Sequence, residues 1–103
     1  MKKNSKLKIE NCCEQNSFLI LIRGDVQGVF YRHNAKKIAE KVNVKGWIKN
    51  NQDGTVEAFI QGQPKNVEEF VTWCKVGSPL SIVESVSVEI VKNDEKFNKF
   101  EVR

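Results

Sequence analysis

Two stretches of this sequence carry apolar residues at the i, i+3, i+4, i+7 spacing of an amphipathic helix, and segments of strand length flank each of them. The first stripe is Ala35, Ile38, Ala39 and Val42, which predicts a helix over residues 32–43, with Asn43 suited to the left-handed conformation that often closes one. The second is Val67, Phe70, Val71 and Cys74, opened by Pro64 near its first turn and stopped by Gly77 and Pro79. A helix that joins two strands of one sheet must cross over with right-handed sense, so two such units in succession leave few topologies open.

The strands are legible on either side. Phe18-Leu19-Ile20-Leu21-Ile22 is a continuous apolar run that suits a central strand. Gly46 to Asn50 reads as a second, and Val56, Ala58 and Ile60 alternate along a third over residues 55–61. Asn51-Gln52-Asp53-Gly54 between them is a turn in which Gly54 supplies positive φ, so these two form a hairpin. Val86, Val88 and Ile90 alternate in a fourth strand, and Phe100 with Val102 marks a short final one. The predicted fold is therefore α+β: a ferredoxin-like βαββαβ sandwich, an antiparallel sheet of four to five strands with both helices on one face.

At 103 residues the chain has room for one domain. Residues 1–16 lack hydrophobic periodicity and are expected to form a disordered extension, leaving 17–103 as the folded unit. Four of the seventeen basic residues, Lys2, Lys3, Lys6 and Lys8, sit in that extension, as a solvated end would have them. No run of about 18 apolar residues is present, and the lysine-rich start lacks a secretory pattern, so a cytosolic, soluble monomer is expected. Cys12, Cys13 and Cys74 match neither a zinc spacing nor a disulfide framework. Cys12 and Cys13 are expected as exposed thiols in the tail, and Cys74 as helix packing. No metal or cofactor site is legible. The net charge of +4 suits an anionic ligand without naming one.

Chemistry can sit in two places. Gly24-Asp25-Val26-Gln27-Gly28-Val29-Phe30-Tyr31-Arg32 joins a strand to a helix N-terminus, where main-chain N–H groups lack partners and the helix dipole favours an anion. Glycine lets that backbone curl around a phosphate, and Arg32 offers a planar fork to its oxygens. The same pattern also describes an ordinary tight turn followed by a surface arginine. Asn50, at the end of the second strand, can donate to one partner and accept from another, which suits holding a water. Asparagine is equally common before a turn. His33, the only histidine, falls on a different side of the helix from Arg32, and Trp47 and Trp73 read as packing. An RNA-binding module of the same strand order would stack bases on aromatic residues of its central strands, but the third strand carries only Phe59.

The segment from Gly24 to Arg32 resembles the first signature of the acylphosphatase family. Gly46-Trp47-Ile48-Lys49-Asn50, followed by Asp53-Gly54-Thr55-Val56 and Gly62, resembles the second at the family's separation, and Trp73 with Gly77-Ser78-Pro79 resembles its second helix and exit. The departures are Phe30-Tyr31 before the arginine, Asn43 where glycine is frequent, and the long extension. The resemblance implies hydrolysis of the carboxyl–phosphate bond of acyl phosphates by direct attack of water. The phosphate would be held by the 24–32 loop, chiefly Val26, Gln27, Gly28, Val29 and Phe30, and by Arg32, with Asn50 orienting the water. It also implies no cofactor, no nucleic-acid or membrane partner, and inorganic phosphate as product and competitive inhibitor. The alternative is a non-catalytic acylphosphatase-like domain, such as heads a carbamoyl-transferring hydrogenase maturation protein. The chain ends just after its last strand, which favours the free-standing enzyme. No motif identifies the acyl side of the substrate.

Overall fold

The computed structural model describes residues 16–92 and 95–103. Its elements run β1 (Asn16–Asp25), α1 (Tyr31–Lys41), β2 (Lys45–Asn50), β3 (Val56–Gln61), α2 (Pro64–Val76), β4 (Ile82–Lys92) and β5 (Phe100–Val102). The expected extension over residues 1–16, with Cys12 and Cys13, lies outside the described residues except for Asn16, where β1 begins. Among the described residues no helix is long and apolar enough to cross a membrane.

The strands form one sheet in the order β4-β1-β3-β2-β5. β1 pairs antiparallel with β3 and β4, and β3 pairs antiparallel with β2, so β1 and β2 run parallel with β3 between them. Each helix thus carries the chain over an intervening strand. The register aligns Phe18 with Ile60, Ile20 with Ala58 and Ile22 with Val56. Paired residues share a face, and this face meets Ala35 and Ala39 of α1 and Val67, Phe70 and Cys74 of α2 in one core. Both helices therefore cover the same side. The small side chains Ala35, Ala39 and Ala58 are fully buried, as close approach of helix to sheet requires.

Two features differ from a simple reading of the pattern. β5 pairs with β2 in parallel, Gly46 with Phe100 and Ile48 with Val102, so the sheet is mixed. Before it, Gln61 holds the incoming chain: its Nε2 donates to the Glu95 carbonyl at 2.6 Å, and Phe97 N–H donates to its Oε1 at 3.1 Å. In β4 the apolar alternation does not mark buried residues throughout. Val86 packs on the core, but Val88 and Ile90 are 44% and 54% exposed, because β4 is the outer strand and, among the described residues, pairs only with β1. Gly46 is obligatory for a steric reason. Its φ is 137°, and a side chain there would collide with the Phe59 carbonyl of the paired strand.

Candidate active site

β1 and β2 end on the same edge of the sheet, at the end where α1 begins. The register places Asn50 opposite Val56, which in turn lies opposite Ile22, so Asn50 projects to the helix-covered face. Above that row, the loop after Asp25 turns into α1. Among the described residues, no main-chain N–H from Val26 to Phe30 has a main-chain acceptor. Gly28 has φ 75° and open space where a side chain would be, and Phe30 is held at φ 63° with its ring 70% exposed. A left-handed conformation at a bulky residue is uncommon and persists only where its surroundings enforce it. Phe30 caps α1 without a side-chain hydrogen bond, and no acidic residue occupies the first turn. The positive end of the helix is thus left uncompensated.

Arg32 stands in that first turn. Its Nη1 donates to the main-chain oxygen of Arg103 at 2.8 Å, and Arg103 N–H donates to the Ile48 carbonyl at 2.8 Å. The guanidinium is therefore tied to the end of β2, two residues from Asn50. The Arg103 guanidinium itself lies 5.1 Å from the centre of the Trp47 ring, a cation–π contact. Asn50 supplies the second sign of a site. Its Oδ1 is buried and has no hydrogen-bond partner among the described residues. Buried polar atoms are rarely left so, and an acceptor of this kind suits a bound donor such as water.

A groove of about 680 Å³ opens beside the loop, walled by Val26, Gly28, Phe30 and Arg32 and continued along α1. Of the residues expected around the phosphate, these four line it, whereas Gln27 and Val29 do not, and neither does Asn50, expected to orient the water. Gln27 has a different task. Its Nε2 donates to the carbonyls of Asn51 at 2.7 Å and Thr55 at 2.8 Å, which clamps the loop to the turn that follows Asn50. That turn is itself braced: Asn51 Nδ2 donates to Thr55 Oγ1, and Thr55 donates from both N and Oγ1 to Asp53 Oδ1. The Thr55 hydroxyl, chiefly, and its N–H hold the Asp53 carboxyl below its ordinary value. Val29 is fixed from the other side, its carbonyl accepting from Ser78 Oγ at 2.9 Å. The Gln27 and Ser78 bonds do not show in the sequence, since they join residues 24 to 49 positions apart along the chain. The nearest signal was the paired occurrence of Gln27 and the Asn51–Thr55 turn within the two signatures.

Replacing Gln27 with Ala removes two hydrogen bonds and is expected to cost about 1–3 kcal/mol of stability, read by urea unfolding. Turnover should fall on the order of tenfold through misplacement of Asn50. Unchanged stability would show that the clamp does not stabilise the fold. Cys74 is no nucleophile: burial pushes its thiol up to about 12. Its carbonyl accepts from Tyr31 Oη at 2.8 Å, and burial likewise raises the Tyr31 phenol. His33 is exposed and borders the groove beside Arg32.

Known proteins share this fold. Residues 18–102 match the model of the family described as Acylphosphatase. An acylphosphatase of Pyrobaculum calidifontis is 42% identical over 84 residues, 81% of this chain and 76% of that protein. The crystal structure of acylphosphatase from Bacillus subtilis matches with a TM-score of 0.82 at 34% identity, covering 85% of this chain and 98% of its own. Full-length HypF in its phosphate- and nucleotide-bound form matches with a TM-score of 0.78 at 31% identity, over 87% of this chain but only 12% of HypF. The loop, Arg32 and Asn50 all fall within the matched residues, and the chain belongs to the acylphosphatase family.

Proposed function

We propose that this acylphosphatase holds the phosphate of its substrate on the main-chain N–H groups from Val26 to Phe30 together with the Arg32 guanidinium, and hydrolyses the carboxyl–phosphate bond with a water oriented by Asn50. The observation that carries this is the run of main-chain N–H groups from Val26 to Phe30 that, among the described residues, lack a main-chain acceptor, with Arg32 just beyond it. Such donors, fixed before the substrate arrives, stabilise the equatorial oxygens of the transferring phosphoryl group without reorganisation. The Asn50 Oδ1 accepts from the attacking water, whose oxygen forms the new P–O bond as the bond to the carboxylate breaks. A carboxylate leaves readily, so no strong general acid is required. The substrate phosphate takes the water's proton, and the products are a carboxylate and inorganic phosphate.

The same reading makes inorganic phosphate a competitive inhibitor, because it carries the part of the substrate that the loop grips. It needs no cofactor and treats the enzyme as a cytosolic monomer, an expectation that rests on the sequence. The test is hydrolysis of benzoyl phosphate by the purified chain, followed with and without added phosphate. Turnover inhibited competitively by phosphate is expected. A folded protein without turnover would leave a non-catalytic phosphate-binding domain instead.

A further inference from the structure

The groove that starts at the loop does not end there. It continues along α1, where Lys36, Lys37 and Glu40 join its wall and Val102 closes the far side. The wall thus carries Arg32, Lys36 and Lys37 with Glu40 as its one acid. Among the described residues, neither lysine takes part in an ion pair, whereas Lys49 pairs with Glu57, and Lys99 and Arg103 with Glu101. Lys36 is half-buried and stands one turn beyond Arg32, so its Cα lies about 6 Å further along the helix axis. An anion two or three carbons away from a phosphate held at Arg32 falls within reach of the Lys36 ammonium and, beside it, of Lys37.

We propose that this part of the groove is an acyl-side subsite that favours acyl phosphates carrying a second anionic group, such as a carboxylate, two to three carbons beyond the acyl carbon. The inference rests on the reading of the loop as the phosphate site and adds what selects the other half of the substrate. The uncommitted ammonium groups attract that second charge, while an uncharged acyl group gains nothing from them. Phe30 and Val102 give the intervening methylenes an apolar wall. An exposed cation beside such an anion is worth a factor of about two to five, so the pair together should contribute about tenfold.

The experiment compares kcat/KM for succinyl phosphate, which carries the extra carboxylate, with that for acetyl phosphate, which lacks it. The ratio cancels whatever the phosphate loop contributes to both. In Lys36→Gln/Lys37→Gln the ratio is expected to fall about tenfold. In the wild type it should fall by a similar factor at 1 M salt, where the screening length shrinks to about 3 Å. Hydrolysis of both substrates with a ratio that neither the substitutions nor salt moves would overturn this inference alone. Hydrolysis of neither would overturn the phosphate-site reading, and the subsite with it.

Discussion

Arg32→Ala is expected to lower kcat/KM for benzoyl phosphate by at least about 10²–10³, the usual loss when a charged donor is withdrawn from a transition state that concentrates charge. The inhibition constant for inorganic phosphate should rise alongside it, since the fork grips ground state and transition state alike. The structure adds a distinction that charge alone would not make. Arg32 already spends one donor on the Arg103 main-chain oxygen at 2.8 Å, leaving the rest of a planar fork to face the loop. A lysine there has one nitrogen for both tasks, so Arg32→Lys should restore only a small part of the activity. Steady-state kinetics of both variants, with circular dichroism to verify folding, decides the point. Activity within a few-fold of wild type in Arg32→Ala would remove this residue from the phosphate site.

Asn50→Ala should separate turnover from binding. It is expected to reduce kcat by about 10²–10³ while the inhibition constant for phosphate changes little, because the amide acts on water and leaves the phosphate to the loop. Its stability should not fall. The Oδ1 atom is buried without a partner, and an unsatisfied polar atom costs about 1–3 kcal/mol, so its removal offsets whatever packing is lost. Urea unfolding beside kinetics would show a protein at least as stable and almost inactive, the mark of a residue retained for function. Full turnover in Asn50→Ala would end the water-positioning role. Asn50→Asp offers a further check. It is isosteric, yet a carboxylate beside the loop repels phosphate, so this variant, unlike Asn50→Ala, should raise the inhibition constant.

Much of this protein is written in local pattern. The stripe Ala35, Ile38, Ala39 and Val42 predicted α1 to within two residues at its C-terminal end, and Asn43 does adopt φ 63° just beyond it. Val56, Ala58 and Ile60 are fully buried along β3 as their alternation required. Pro64 and Gly77 bound α2 as expected. Helices and strands follow from the nearest few residues, and the right-handed crossover then limits how they can be joined. The loop proposed to hold phosphate is legible as a loop for the same reason, because it is a continuous segment between a strand and a helix.

What the sequence alone determined, then, is the order of elements, the few topologies compatible with two crossovers, and the loop, Arg32 and Asn50 as the residues to examine. The tertiary structure decided the rest. Only pairing across the sheet sets Asn50 level with Ile22, and only that places its Oδ1 in a buried position without a partner. The Gln27 clamp spans 24 and 28 residues, the Ser78 bond 49, and the Arg32 bond 71. Val88 and Ile90 alternate like core residues yet lie open, because burial in a strand depends on what stands beside it. Lys36 and Lys37, ordinary surface lysines by pattern, become the wall of a groove only once β5 brings Val102 across from α1. Periodicity acts over one turn or one pleat, whereas a site is an agreement between segments that meet only after the chain has folded.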